Sequence, residues 1–120
     1  MADAVAGLDA GFLLTETSTM PWQVLGVLVL DPSTAPEPFT FDTVRRLVAA
    51  RLDSIEAFHK VIVRDPLSVW PSWAEADVDL DQHLHVADLP PDAGIADLEE
   101  LAARIAEERL DRNRPLWEFH

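Results

Sequence analysis

The chain contains 120 residues, and its 22 acidic side chains against 9 basic ones give a formal net charge of −13. So acidic a surface repels phosphates, which argues against nucleic acid or an anionic membrane surface as a partner. The absence of cysteine excludes disulfides and thiolate catalysis, and 48% apolar residues indicate a globular domain with a core. No apolar run approaches the roughly 20 residues needed to cross a bilayer. We therefore expect a protein that is soluble or peripheral at a membrane or lipid droplet, and the lack of cysteine is compatible with the cytoplasm.

The first half of the chain carries signals for a short helix, a strand and a longer helix. Residues 8–16 have the apolar spacing of a short helical segment that plugs the core. Residues 23–30 are almost continuously apolar and rich in valine, which predicts a strand buried on both faces. Residues 39–52 have helical periodicity, with Thr40 or Asp42 available as the N-terminal cap.

The second half of the chain predicts further strands and another helix. Residues 58–64 indicate a strand, and residues 69–73, interrupted by Pro71, indicate a short or edge strand. Residues 95–110 carry a helical apolar stripe, and the apolar residues after 115 resemble the start of a buried strand. Two main helices that alternate with several strands predict an α/β (α+β layered) domain with a mixed sheet.

A run of acidic and histidine residues at 77–86 is the strongest local candidate for a metal site. If this run is extended, Asp79, Asp81, His83 and His85 share one face, and all are legitimate ligands of a divalent metal. Successive same-face side chains are about 6.6 Å apart, so a compact site would need ligands from elsewhere. We favour the alternative that this face is the solvated side of a half-buried strand or extended segment, without metal. His83 can instead hold a loop by hydrogen bonding.

The sequence offers no recognisable active site of its own. It contains no Gly-x-Ser-x-Gly elbow and no glycine-rich phosphate loop, and its four histidines are not adjacent in pairs. We therefore predict no catalytic residue and no cofactor within residues 1–120.

The most specific stretch is residues 110–118, which read Leu-Asp-Arg-Asn-Arg-Pro-Leu-Trp-Glu. This stretch, called the terminal motif below, resembles the Leu-Asp-Arg-x-Arg-Pro-Leu-Trp-Glu segment of the bacterial wax ester synthase/diacylglycerol acyltransferase family. Weaker similarities at residues 8–13, 21–24 and 79–83 extend the resemblance over nearly the whole chain. Residues 56–61 depart from the Pro-x-Phe-Arg-x-Arg pattern of the family, which bears on the subfamily more than on the fold.

The resemblance implies a fold and an activity for the complete protein. Family members have chloramphenicol acetyltransferase-like domains, so residues 1–120 would be the N-terminal part of an acyltransferase domain, truncated before the catalytic motif. That motif is His-His-x-x-x-Asp-Gly, whose second histidine acts as general base on the hydroxyl of a diacylglycerol or fatty alcohol. The hydroxyl then attacks a long-chain acyl-CoA, a substrate rather than a cofactor, and triacylglycerol or a wax ester is formed.

Within this chain the resemblance implies a structural role. Pro115, Leu116 and Trp117 match the family motif, and we interpret them as a packing anchor. Without the catalytic motif the chain would be inactive alone, and a C-terminal partner chain could carry that motif. Two alternatives stay open: a non-enzymatic acidic binding or assembly module, and a metal-binding protein that uses the segment at 77–86.

Overall fold

A computed structural model describes residues 3–120; Met1 and Ala2, which belong to the predicted domain, lie outside the described residues. The principal elements in chain order are β1 (Asp3–Ala4), α1 (Gly7–Thr15), α2 (Phe41–Leu52), β2 (Lys60–Val63), β3 (Ser72–Glu75) and α3 (Ile95–Glu107). Short 3₁₀ turns occupy Pro32–Thr34, Glu56–His59 and Leu80–Gln82. This arrangement confirms the predicted mixture of helices and strands.

The sheet has the strand order β1-β3-β2, and both pairings are antiparallel. The predicted strand at 58–64 is confirmed over β2. The strand β3 is short, as predicted, but it lies in the middle of the sheet rather than at an edge. It can do so because Pro71, which lacks an N–H, immediately precedes the strand, while its carbonyl accepts a hydrogen bond from the Val5 N–H at 3.1 Å. Within residues 3–120, the parallel pairing is limited to an isolated bridge between Leu84 and Phe119.

The two longer helices follow their local sequence signals. Thr40 caps α2, because its hydroxyl oxygen accepts from the Thr43 N–H while the Thr43 hydroxyl oxygen accepts from the Thr40 N–H. At the start of α3, the Asp97 carboxylate accepts from the Gly94 N–H at 2.7 Å. The helix ends at Glu107 rather than at residue 110. Among residues 3–120 we find no helix with the length and apolar character needed to cross a membrane.

The first helix forms where the sequence predicts it, but it buries a different face. Ala10 is fully buried, whereas Leu8 is 73% exposed. The Phe12 ring contacts the ring of Trp22, with centroids 5.2 Å apart, on a partly exposed surface. The expectation that large apolar side chains of this helix plug the core is therefore wrong for Leu8 and Phe12, since close packing is centred on the small side chain of Ala10.

Residues 23–30 form no strand within the described part of the chain. The side chains of Val24 and Leu28 are 99% and 85% exposed, so the prediction of a strand buried on both faces is wrong for this structure. A strand of that kind needs a neighbour on each edge and a layer on each face, and residues 3–120 provide neither for this run. Its start is nevertheless held, because Gln23 donates from Nε2 to the carbonyls of Ala106 and Glu108 at 3.1 and 2.8 Å.

Candidate functional site

The terminal motif runs alongside the segment that contains the predicted metal ligands. Phe119 donates from its N–H to the His83 carbonyl, and the His85 N–H donates to the Phe119 carbonyl, both at 2.8 Å. These two bonds form the parallel bridge to Leu84, which is the one place where the predicted strand after residue 115 takes shape in the described chain. Pro115, just before this bridge, is buried.

Trp117 lies between two flat side chains, in an arrangement that we call the Trp117 stack (Phe58, His83 and Trp117). Its ring is 4.4 Å from that of Phe58 and 4.2 Å from that of His83, with interplanar angles of 17° and 20°. The Trp117 indole N–H also donates to the Phe58 carbonyl at 3.0 Å. Stacking on both faces and a hydrogen bond at the edge are what a packing anchor requires. That role stays a prediction for Trp117.

His83 is buried in this stack, and its orientation is fixed. Its Nδ1 lies 2.7 Å from the Trp117 carbonyl oxygen. Because a carbonyl oxygen only accepts, Nδ1 must carry the proton that it donates. The expectation that His83 holds a loop by hydrogen bonding is confirmed by this contact.

The terminal motif is tied to the end of α1 through a nearly buried carboxylate, Glu16. One Glu16 oxygen lies 2.9 Å from Arg112 Nη2 and 3.8 Å from Arg109 Nε, and the other accepts from the Trp22 N–H at 3.0 Å. The Glu16 side chain is only 9% exposed, so these partners compensate the burial of its charge. Sequence reasoning missed Glu16. The sequence shows Arg112 in the terminal motif, but nothing in it indicates that the acidic partner of Arg112 is Glu16.

A second carboxylate shapes the turn that leads into Pro115. The backbone N–H of Asn113 donates to Asp111, and this bond, followed by those from the Arg114 and Asn113 side chains, lowers the pKa of the Asp111 carboxyl below its ordinary value. Arg114 also donates from Nη1 to the Gln82 carbonyl at 2.9 Å. The turn is therefore bonded both to itself and to the segment that carries His83.

The structure does not bring the four predicted metal ligands together. Asp79 accepts from the backbone N–H of Asp81 and begins a 3₁₀ turn, so the segment is not the extended strand that the prediction assumed. Asp81 pairs with Arg45 at 2.6 Å, and His83 is buried in the Trp117 stack. Only His85 of the predicted set belongs to a group of potential metal ligands among residues 3–120.

That group consists of His85, Glu118 and His120, whose potential ligand atoms all lie within 4.8 Å of one another. Glu118 Oε2 is 3.8 Å from His85 Nε2 and 3.1 Å from His120 Nε2. Sequence reasoning missed Glu118 and His120 as potential ligands. No local pattern joins them to residue 85, because the parallel bridge alone makes them neighbours.

An apolar cleft of about 580 Å³ lies between residues 24–28 and one face of α3. Its walls include the aliphatic side chains of Leu25, Leu28, Leu98, Leu101 and Ile105, and residues 118–120 also line it. The exposed valines and leucines of the extended run continue this apolar surface outward. A contiguous exposed apolar surface of this kind marks a place where further apolar groups pack.

The fold and the site define an α/β protein whose most distinctive motif is packed into its framework. The chain belongs to the wax ester synthase/diacylglycerol acyltransferase family, because the model of that family's catalytic domain matches residues 5–120. The resemblance found in the terminal motif is thereby confirmed.

The relatives that match are named as acyltransferases. A putative diacylglycerol O-acyltransferase of Mycobacterium tuberculosis (strain H37Rv) is 33% identical over 119 residues, which cover 98% of the chain and 24% of that relative. A probable diacylglycerol O-acyltransferase of the same strain, tgs2, is 32% identical over 119 residues, which cover 93% of the chain and 25% of the relative. The chain thus spans about a quarter of the length of the curated relatives it matches. No solved structure matches it significantly.

Proposed function

We propose that this chain supplies the N-terminal framework of an acyl-CoA-dependent O-acyltransferase that makes triacylglycerol or wax esters. The observation that carries the proposal is the match of the family's catalytic-domain model to residues 5–120. In the complete enzyme, the second histidine of His-His-x-x-x-Asp-Gly would take the proton from the hydroxyl of a diacylglycerol or fatty alcohol. An imidazole suits this step because its pKa lies near neutral pH. The hydroxyl oxygen then attacks the acyl-CoA thioester, and coenzyme A leaves.

The chain's own part in this reaction is to hold the framework. Its four histidines lie at 59, 83, 85 and 120, so the paired histidines of the motif are not among its residues. We propose that it is inactive alone and that a C-terminal segment, in the same or a partner chain, brings the motif. The Trp117 stack supports this structural role, because the Trp117 indole bonds the Phe58 carbonyl and the His83 ring bonds the Trp117 carbonyl.

The apolar cleft supports the same proposal. Residues 24–28 and α3 present aliphatic side chains that a C-terminal segment of the catalytic domain could cover. The alternative, a non-enzymatic acidic assembly module, predicts a chain that is monodisperse by itself. The nearly complete exposure of Val24 and Leu28 favours a framework that needs a second segment.

The proposed lipid substrates also indicate where in the cell the complete enzyme would act. We propose that the complete enzyme is cytoplasmic and meets its diacylglycerol or fatty alcohol at a membrane or droplet surface. With a net charge of −13, the chain should favour neutral over anionic lipid. Flotation with neutral phosphatidylcholine vesicles and with vesicles containing phosphatidylserine would test this. Recovery with the phosphatidylserine vesicles alone would contradict the proposal.

The decisive experiment is a chimera. We would fuse this chain to the C-terminal three quarters of the tgs2 relative and measure triacylglycerol formed from a long-chain acyl-CoA and diacylglycerol. The chain alone should give no product, whereas the fusion should give product. A fusion in which the second histidine of the motif is replaced by alanine is the matched control. Turnover by the chain alone would refute the proposal. So would a monodisperse fusion that is no more active than the control.

A further inference from the structure

The backbone brings three potential ligands from two parts of the chain to one place. Phe119 is hydrogen-bonded through its N–H and its carbonyl to the residues on either side of Leu84. His85 therefore lies next to the residues that flank Phe119, which are Glu118 and His120. Two backbone bonds of 2.8 Å hold the segments side by side, so the fold itself brings these three residues together.

The distances suit a small ion with short bonds. A tetrahedral zinc ion binds nitrogen and oxygen at about 2.0–2.2 Å, which places its ligand atoms about 3.4 Å apart. Glu118 Oε2 lies 3.1 Å from His120 Nε2 and 3.8 Å from His85 Nε2, on either side of that value. All three ligand atoms lie within 4.8 Å of one another, so the widest separation needs to close by no more than about 1.4 Å.

The chemistry of the donors points to the same class of ion. Two imidazoles and one carboxylate are the protein ligands of an open zinc site, in which water takes the fourth position. The side chains of His85, Glu118 and His120 are 37%, 24% and 27% exposed, so an ion can enter while the ligands remain partly shielded. The strongly acidic chain also concentrates cations at its surface.

We propose that His85, Glu118 and His120 form a binding site for a divalent transition metal, with Zn²⁺ as the ion that fits best. The site differs from the set at 79–85 predicted from sequence, with which it shares only His85. It does not depend on the proposed acyltransferase function, although Glu118 and His120 also line the apolar cleft. Without metal, Glu118 simply accepts a hydrogen bond from His120, and that simpler role is what the experiment must distinguish from metal binding.

The test is a titration of this chain with CoCl₂ alone, followed by displacement with ZnCl₂. We expect one Co²⁺ per chain, with the intense visible absorption of a tetrahedral site, and loss of that absorption when zinc is added. His85→Ala and His120→Ala should each weaken binding at least tenfold. His59→Ala is the matched control, because His59 contacts the Leu52 carbonyl away from this site and its loss should leave binding unchanged.

Two further measurements keep the proposal falsifiable if an alanine variant folds poorly. Glu118→Gln keeps the size of the side chain but weakens its oxygen as a ligand, so it should also reduce affinity at least tenfold while the circular dichroism spectrum is preserved. The wild-type spectrum is independent of any variant. Weak octahedral absorption, a stoichiometry other than one, or equal binding by wild type and Glu118→Gln would overturn the proposal.

Discussion

Replacing Trp117 with alanine tests the Trp117 stack most directly. The change removes two stacked contacts, at 4.4 and 4.2 Å, and the indole N–H that bonds the Phe58 carbonyl. It leaves that carbonyl without its partner and opens a space between two rings that the backbone holds apart. We expect a large loss of stability, because partial relaxation cannot refill a slot of this shape.

The structure sets the size of this loss. Large aromatic-to-alanine changes cost about 3–5 kcal/mol, and since Trp117 is half-buried rather than fully buried, we take the lower end, about 3 kcal/mol. For 120 residues the unfolding entropy converts this value to a fall in Tm of about 12 °C. Trp117→Phe keeps most of the stacking and loses the hydrogen bond, so it should cost about 1 kcal/mol.

The assay is urea unfolding followed by circular dichroism, with Trp22→Ala as the matched control. Trp22 is 48% exposed and its ring contacts Phe12, so its loss should cost about 1 kcal/mol. A Trp117→Ala variant within about 1 kcal/mol of the wild type would refute the anchor. In the complete enzyme, the variant should lose soluble yield before specific activity, and normal folding with lost turnover would instead place Trp117 in the substrate channel.

Three further changes test other contacts. Glu16→Gln removes the charge that pairs with Arg112. Because the pair is largely buried, the free energy of unfolding in urea should fall by about 2 kcal/mol. An unchanged free energy of unfolding would mean that the ion pair does not stabilise the fold. Thr40→Ala removes the cap of α2 and should cost about 1 kcal/mol, and equal stability of Thr40→Ser and Thr40→Ala would contradict this role. Because the Asn113 N–H lowers the pKa of Asp111, its carboxylate stabilises the fold above the ordinary value of 3.8, and this contribution is lost as pH falls through the lowered pKa. The Tm curves of the wild type and Asp111→Asn should therefore converge on acidification, and parallel curves would refute the assignment.

Local signals predicted the helices well and the pairing of strands poorly. Thr40 immediately precedes the helix that it caps, and the apolar stripe of 95–107 repeats within α3 itself, so the sequence alone located both helices. The central position of β3 depends on its pairing with β1, which is about 70 residues away, and no residue near β3 indicates this pairing. Residues 23–30 have the composition of a buried strand, but composition does not indicate which segments would pair with that strand.

The candidate sites show the same limit. The terminal motif was recognisable from its sequence. The stacking partners of Trp117, which are Phe58 and His83, come from segments far from the motif. Likewise, alternation along 77–86 predicted an extended segment, whereas Asp79 accepts a backbone hydrogen bond and starts a turn instead. A register set by one parallel bridge then placed His85 beside Glu118 and His120. The register between two distant segments depends on tertiary packing and cannot be predicted from local periodicity.

The exposed run also determines how the chain behaves when it is concentrated. Residues 24–30 are seven consecutive uncharged residues, six apolar and one glycine, with no proline among them. Segments of this composition stack into the dry, interdigitated sheets of amyloid when many copies meet. Asp31 and Pro32 limit this tendency at one end, as charges and prolines commonly do beside aggregation-prone strands. Fibril growth from this chain should therefore begin at 24–30, and a single lysine in place of Leu28 should slow it.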